Sequence, residues 1–219
     1  MVKVLKIWAA AAGLVAMAGT AQAAQMTLVD GSLGVLDSDT QLEWTADLDL
    51  NGAMTWEAAN VWITTLNMRN YAGHNDWRLP TLNPSDTSCS DGSGDVRYGY
   101  SCTGGELSRL FVTRLGNKAG ESVSIQTGDT GEQIANLALF SNVQSRVYWS
   151  STEYAPNPNL VWHFGTYIGV QYTGAAKSEA FYAVAVRPGN MVSAVPETQT
   201  SVMLLLGLGA VLALRRRPR

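Results

Sequence analysis

The sequence has few of the residues from which active sites are built: only two histidines and two cysteines occur among its 219 residues. His74 and His163 are not close to the cysteines in the chain, so a zinc site of the usual cysteine and histidine spacing is not indicated. Ser150 and Ser151 lack the glycine elbow and the histidine and aspartate partners of a nucleophilic serine. We therefore predict that the protein is not an enzyme, and that each histidine is a surface residue or a core residue.

Basic residues are scarce between the two ends of the chain. All 18 aspartates and glutamates lie between residues 24 and 197, but only 9 of the 15 lysines and arginines do, which leaves this region at −9 against −3 for the whole chain. An acidic surface repels polyanions. Nucleic acid and heparin-like partners are therefore not expected.

The N-terminus has the order of features found in a secretory signal. Lys3 and Lys6 precede an apolar run over residues 7–18, and Ala21-Gln22-Ala23 then supplies small residues at the spacing that signal peptidase accepts. We predict a cleaved signal peptide over residues 1–23, with cleavage one residue later as the alternative. Signal peptidase is then an expected partner, and the protein is expected to be exported.

The apolar run near the C-terminus is short for a membrane span. Residues 202–214 are apolar or glycine, and thirteen helical residues span about 20 Å against a hydrocarbon core of about 30 Å, unless flanking threonine and serine are included. We predict a transmembrane helix over residues 201–214. The arginine-rich tail over residues 215–219 would lie on the cytoplasmic side, so that the preceding domain faces outward.

A linker over residues 191–200 carries Val195, Pro196 and Glu197 ahead of this helix. The order of these three residues, a short apolar helix with glycines and terminal arginines resembles the PEP-CTERM sorting signal of Gram-negative bacteria. The resemblance implies that the C-terminal helix first holds the protein in the inner membrane, and that an exosortase then cleaves it for release to the cell surface or the extracellular medium. Thr198 departs from the family, which usually has a second proline there, and a plain membrane anchor is the alternative.

Residues 24–190 are predicted to form the exported α+β domain. Apolar residues at three- and four-residue spacing predict a helix that has Thr55 as its N-cap and ends near Arg69. A second helix is predicted over residues 104–115, where Thr103 and Glu106 have the spacing of a capping box. Short strands are predicted between residues 26 and 44, and others form an antiparallel sheet at 146–151, 160–167 and 181–187, with 165–177 as a connection.

The segment over residues 76–81 is predicted to be extended, because Pro80 fixes its own φ and keeps Leu79 out of the helical region. Trp77 and Leu79 are expected in the core. Arg78 is expected to pair with Asp76 or with a later carboxylate.

Asp47, Asp49 and Asn51, followed by a glycine, match the first half of a calcium loop. The twelfth position, however, is Ala58, with Glu57 one place early. Calcium is therefore the one cofactor considered, and an Asx turn leading into the helix is the favoured alternative.

Cys89 and Cys102 are predicted to form a disulfide, as expected in an oxidising compartment. The bond would remove about 3 kcal/mol of unfolded-state loop entropy in the chain-entropy model. A metal site formed by the two cysteines is the alternative. The glycine- and serine-rich residues around them, about 83–103, are predicted to be a surface loop closed at its base.

Six blocks carry a further resemblance; they are Asp39-Thr40-x-Leu42-x-Trp44, Met54-Thr55-Trp56-Glu57-x-Ala59, Asn75-Asp76-Trp77-Arg78-Leu79-Pro80-Thr81, Glu106-Leu107, Tyr148-Trp149-Ser150-Ser151-Thr152-Glu153 and Val186-Arg187-Pro188. Together they resemble the Lcl C-terminal domain family over about residues 36–188. That family is similar to C-type-lectin-like and formylglycine-generating-enzyme-like folds, which implies a C-type-lectin-like domain with two main helices and a small antiparallel sheet. The family usually places Thr and Glu directly around the turn after Pro80. Here an insertion of about twenty residues separates them, and Thr103 is expected to restore the cap.

The two resemblances predict an exported, non-enzymatic cell-surface or extracellular-matrix protein that binds a saccharide or another matrix component. Tyr98, Tyr100, Tyr154 and Tyr167 are candidate ligand-binding residues, because their flat rings can stack on sugars, although each could instead pack the loops. A purely structural envelope or matrix protein is the alternative, and a concave aromatic surface near the cysteines would favour binding. The adhesin for which the family is named is said to engage sulfated polysaccharides, but the charge of −9 argues against such a ligand here. An enzyme is the remaining reading, but the oxidation chemistry of the related fold needs reactive cysteines.

Overall fold

The computed structural model describes residues 25–189. The predicted signal peptide, the Val195-Pro196-Glu197 linker, the apolar segment over 201–214 and the basic tail lie outside the described residues. Between residues 25 and 189, no helix has the length and apolar character needed to cross a membrane.

The described part is α+β, as predicted, with three helices and two antiparallel sheets. The helices are α1 Trp56–Met68, α2 Glu106–Ser108, which continues as a π-helix over Arg109–Arg114, and α3 Gly131–Leu137. The strands are β1 Met26–Val29, β2 Gly34–Asp37, β3 Leu42–Thr45, β4 Asp91–Ser93, β5 Val96–Tyr100, β6 Val147–Glu153, β7 Leu160–Gly165, β8 Val170–Ala176 and β9 Val186–Pro188.

The strands form two sheets rather than the one small sheet expected. The first has the order β1-β2-β3-β9, and the second has the order β4-β5-β8-β7-β6. Consecutive residues of β6, Tyr148 and Trp149, belong to different hydrophobic clusters, because side chains alternate across a strand. The second sheet therefore has a core on each face.

Helix α1 confirms the prediction from the apolar spacing. The hydroxyl of Thr55 accepts a hydrogen bond from the Ala58 amide at 3.2 Å, as an N-cap does. The face that carries Trp62 and Leu66 is buried against Trp149 and its neighbours in the second core.

The segment over residues 76–81 is extended, as predicted, and it joins the two sheets. The amide of Arg78 donates to the carbonyl of Val186, in β9, at 2.9 Å. The Pro80 carbonyl accepts from the Ser151 amide of β6 at 2.8 Å. Trp77 and Leu79 are buried in the second core. The proline-ended segment is therefore a bridge between the two sheets.

Arg78 pairs with the later carboxylate, Glu106, rather than with Asp76. Its guanidinium donates to both Glu106 oxygens, at 2.6 and 2.7 Å, and the Thr81 amide donates to Glu106 at 2.9 Å. The Glu106 carboxylate therefore binds Arg78 and the Thr81 amide instead of capping its own helix with Thr103, and the predicted capping box with Thr103 is wrong. The N-cap of α2 is Gly105, and the Thr103 amide instead donates to Asp86 at 2.8 Å.

The insertion over residues 83–103 is a β-hairpin, not the irregular loop expected. Strands β4 and β5 pair through Gly92 and Arg97, and β5 joins the second sheet because Gly99 pairs with Gln171. The predicted disulfide between Cys89 and Cys102 is present. The hairpin therefore extends the second sheet, and the residues on either side of it, Thr81 and Glu106, are hydrogen-bonded to each other.

Two further predictions about strands are corrected. Residues 165–177, expected to be a connection, contain β8, which pairs with β5 on one side and β7 on the other. Of residues 181–187, only the end belongs to a strand, β9, and that strand lies in the first sheet. Phe181 and Tyr182 form isolated bridges instead.

Candidate functional site

The four candidate tyrosines divide into two groups. Tyr98 and Tyr154 pack against the first hydrophobic core, where the Tyr154 ring lies edge-on to Trp162 at 6.3 Å between centroids. Tyr100 is half-buried, and Tyr167 has 41% of its surface exposed. Tyr167 is therefore the most exposed of the four, and Tyr98, Tyr100 and Tyr154 are all half-buried.

Tyr100 and Tyr167 are brought together around a third tyrosine, Tyr172. Tyr100 pairs with Val170 in the register of β5 and β8, and Tyr172 lies two residues further along β8, so their side chains share a face. The ring of Tyr167, from the turn between β7 and β8, covers Gly165: a Cβ built there would lie 2.7 Å from Tyr167 Cε1. We refer to Tyr100, Tyr167 and Tyr172 as the tyrosine cluster.

The electrostatics of Tyr172 reflect this crowding. Desolvation raises its pKa, and the neighbouring hydroxyls of Tyr167 and Tyr100 raise it further. The phenol is therefore neutral at physiological pH, and its hydroxyl can donate as well as accept a hydrogen bond.

A cavity of about 230 Å³ is lined by residues that adjoin the segments carrying the tyrosine cluster. Ser101, which lines it, follows Tyr100 directly, and the carbonyl of Lys118, another lining residue, packs against Gly169 in the turn that carries Tyr167. Asn117, Asp129 and Gln133 also line the cavity. Its volume is below the ~300–1,000 Å³ typical of sites for drug-sized ligands, which suits a single ring rather than a larger molecule.

Two of the lining residues carry a buried oxygen that has no hydrogen-bond partner among the described residues: Asn117 Oδ1 and Asp129 Oδ2. The rest of each side chain is held in place, because Asn117 Nδ2 donates to the Glu121 carbonyl at 2.9 Å and the other Asp129 oxygen pairs with Lys118 Nζ. Lys118 also donates to the Thr127 carbonyl at 2.9 Å. Buried acceptors without donors are rare in folded proteins, so these two could be satisfied by the hydroxyl groups of a ligand.

A second polar cavity, of about 270 Å³, is less suited to a ligand. Its charged residues already bind one another: Arg109 pairs with Asp39 at 2.5 Å, and Glu106 is bound to Arg78. A ligand bound to these carboxylates would compete with existing ion pairs, although Thr40 Oγ1 and Arg109 Nε, on two other lining positions, lack hydrogen-bond partners among the described residues.

The predicted calcium ligands form a local turn. The Asp49 amide donates to Asp47 Oδ1 at 2.8 Å, which is the Asx turn expected as the alternative, and Asp47 Oδ2 accepts from Asn142 at 2.9 Å. Asn51 is exposed, with its amide nitrogen 4.0 Å from Met54 Sδ. Calcium binding by this loop stays a prediction.

Two residues of the sequence blocks, Trp149 and Arg187, have structural roles. Trp149 is fully buried, and its indole nitrogen donates to the Met54 carbonyl at 2.8 Å. Arg187 is buried between Glu43, at 2.7 Å, and Asp76, at 2.6 Å. Both side chains therefore stabilise the fold.

Sequence reasoning missed Tyr172, Asn117 and Asp129. Tyr172 lies in the segment taken for a connection, although its neighbours Val170 and Gln171 begin a strand. Asn117 and Asp129 lie next to glycine turn signals and read as ordinary turn residues. A signal for the two acceptors is absent from the sequence, because their lack of partners depends on the folded arrangement.

The family model described as Lcl C-terminal domain matches residues 34–187. No curated protein matches the chain.

Proposed function

Because the chain belongs to the Lcl C-terminal domain family, we propose that it is an exported cell-surface or extracellular-matrix protein whose lectin-like domain binds an uncharged saccharide. The proposed site is the tyrosine cluster together with the adjoining cavity at Asn117 and Asp129. In this reading one sugar unit occupies the cavity, and the next stacks on the exposed tyrosine rings.

The buried acceptors at Asn117 Oδ1 and Asp129 Oδ2 carry the proposal. Sugar hydroxyls are donors in the neutral state, and the two oxygens are buried acceptors on residues that line a cavity of about 230 Å³, so a small side-chain rotation on binding would bring them to the sugar. Lys118 contributes an ammonium group beside the Asp129 carboxylate. The tyrosine rings add flat apolar surface next to polar atoms, which is the mixture that a sugar ring presents.

The negative net charge of the domain favours neutral saccharides over anionic ones. With 18 acidic and 9 basic residues between residues 24 and 197, the net charge is −9. A sulfated or uronate-rich polymer would be repelled over its whole length. We therefore propose a neutral polysaccharide as the ligand.

Binding is tested with an array of neutral and sulfated glycans and the full-length chain in mild detergent. We expect retention on neutral glycans, and a Tyr167→Ala variant should bind about tenfold more weakly, a loss of about 1.4 kcal/mol. Tyr167→Phe is the matched control, because it keeps the ring and should change affinity less than about threefold, or about 0.7 kcal/mol.

An Asn117→Ala variant removes an acceptor from the cavity and should also weaken binding about tenfold. Unfolding curves of each variant separate a loss of binding from a loss of folding. Absence of retention for the wild type on every neutral glycan would contradict the proposal and favour the purely structural role.

Export is a separate part of the proposal and rests on the order of features at the two ends. We expect mass spectrometry of the protein from cell fractions to find a mature N-terminus at residue 24 or 25, an oxidised Cys89–Cys102 pair and a C-terminus shortened near Val195-Pro196-Glu197. A C-terminus that still carries the arginine tail would indicate the plain membrane anchor. An intact chain in the cytosol with both thiols free would contradict export.

A further inference from the structure

Three side chains with metal-ligating atoms meet at one edge of the first sheet, away from the proposed saccharide site. Asp30 lies in the turn after β1, Glu43 lies in β3, and His74 follows the turn after α1. His74 Nε2 is 2.8 Å from Asp30 Oδ2 and 3.9 Å from Glu43 Oε2. One donor atom from each residue lies within 4.8 Å of the other two.

The carboxylate of Glu43 is the part of this group that lacks a partner. Glu43 is 3% exposed, and its Oε2 accepts from Arg187 at 2.7 Å. Its other oxygen, Oε1, is buried and has no hydrogen-bond donor in the described part of the chain. A buried carboxylate oxygen without a donor or a cation is costly, and burial together with the neighbouring Asp30 carboxylate raises the pKa of Glu43. A bound cation would relieve both effects.

The charges of the surrounding groups lead to the same conclusion. The carboxylates of Asp30, Glu43 and Asp76 stand against one guanidinium, that of Arg187, which leaves two negative charges when His74 is neutral. A divalent cation would balance them. A neutral imidazole is also the form of histidine that binds a metal.

We propose that Asp30, Glu43 and His74 bind a divalent transition-metal ion of the zinc class. One imidazole nitrogen and two carboxylate oxygens suit Zn²⁺ or Mn²⁺, whereas Ca²⁺ and Mg²⁺ favour all-oxygen sites. Ligands about 2.1 Å from a tetrahedral ion lie about 3.4 Å from one another. His74 Nε2 lies 2.8 Å from Asp30 Oδ2, and the ion would replace this hydrogen bond. The 3.9 Å distance is to Glu43 Oε2, which Arg187 binds, and the ion would bind the unpaired Oε1 of the same carboxylate.

The ion would join three parts of the fold. It would tie the β1–β2 turn and β3 to His74, which lies two residues before the bridge segment at 76–81. Arg187, bound to the other oxygen of Glu43, would orient that carboxylate from outside the ligand set, as supporting residues commonly do in metal sites.

The test is titration calorimetry of the chelator-treated full-length chain in mild detergent with Zn²⁺, Mn²⁺ and Ca²⁺. We expect one equivalent of Zn²⁺ to bind and to raise the unfolding midpoint, with Ca²⁺ binding far more weakly at this site. His74→Gln and Asp30→Asn should each weaken Zn²⁺ binding by more than about 100-fold, the upper end of the loss caused by removing a supporting residue.

Asp95→Asn is the matched control, because Asp95 is an exposed carboxylate in the β4–β5 turn, and this variant should bind Zn²⁺ like the wild type. Circular dichroism of His74→Gln and Asp30→Asn checks that both fold. The proposal is overturned if the wild type binds neither Zn²⁺ nor Mn²⁺, or if both ligand variants retain the wild-type affinity.

Discussion

An Arg187→Met variant is expected to unfold with a free energy about 3–5 kcal/mol lower than the wild type, the usual cost of breaking a buried ion pair from one side. The Arg187 side chain is 4% exposed and lies between Glu43 Oε2, at 2.7 Å, and Asp76 Oδ1, at 2.6 Å. Methionine fills much of the same volume but leaves the equally buried Glu43 carboxylate without its cation. The hydrogen bond from Arg187 also holds the pKa of Asp76 below its usual value, and that stabilisation would be lost.

Urea unfolding in the presence of a chelator measures this effect without a contribution from bound metal. Lys177→Met is the matched control, since Lys177 pairs with Glu153, whose side chain is 44% exposed, and such pairs contribute about 0–1 kcal/mol. The double variant Arg187→Met with Glu43→Gln should recover part of the loss, because it removes the uncompensated charge. Equal losses for Arg187→Met and Lys177→Met would show that the buried pair contributes no more than a surface pair.

The parts of the fold that depend on neighbouring residues could be predicted from the sequence. Helix α1 follows from Thr55 as an N-cap and from apolar residues at helical spacing, both of which lie within one short segment. The extended conformation at Leu79 follows from the proline beside it. The disulfide required only two cysteines at a short separation in a chain with a predicted export signal.

The parts that depend on distant residues were missed or misplaced. Strand β8 contains Gly174 and several small residues, and it is paired on both sides, so neither its composition nor its pattern indicates a half-exposed strand. The β4–β5 hairpin was missed for a similar reason, because its strands contain glycine, which is depleted in strands. Glu106 matched a local capping motif, but it binds Arg78 and Thr81, which lie 25 or more residues away in the sequence.

The candidate sites depend even more on contacts between residues that are distant in the sequence. Tyr100 and Tyr167 were selected for being aromatic, as were Tyr98 and Tyr154, and no local pattern separates the two that lie near Tyr172 from the two that pack against the first core. The cluster of Asp30, Glu43 and His74 draws on residues from three elements. Its key feature, the unpartnered oxygen of Glu43, is a property of the packed structure and has no local sequence signal.

His163 should make the protein less stable as the pH falls from about 6.5 towards 4. Its ring stacks on Tyr172 at 5.7 Å and packs against Phe181 at 5.4 Å, and burial lowers its pKa to about 4. In the unfolded chain a histidine has a pKa of about 6.5. Between pH 6.5 and pH 4, His163 is protonated in the unfolded chain but neutral in the folded chain, so acidification favours unfolding.

The full difference corresponds to about 3 kcal/mol, of which about 2 kcal/mol should be lost by pH 5, where most carboxylates are still ionised. The measurement is urea unfolding at pH 7 and pH 5 with chelator present, for the wild type and for His163→Phe, which keeps a ring between Tyr172 and Phe181 but cannot be protonated. The variant should lose much less stability between the two pH values. His74→Gln, which changes the one other histidine in the sequence, should retain the wild-type loss; if it alone abolished the loss, the destabilising proton would be taken up at His74, and the aromatic stack would not be its cause.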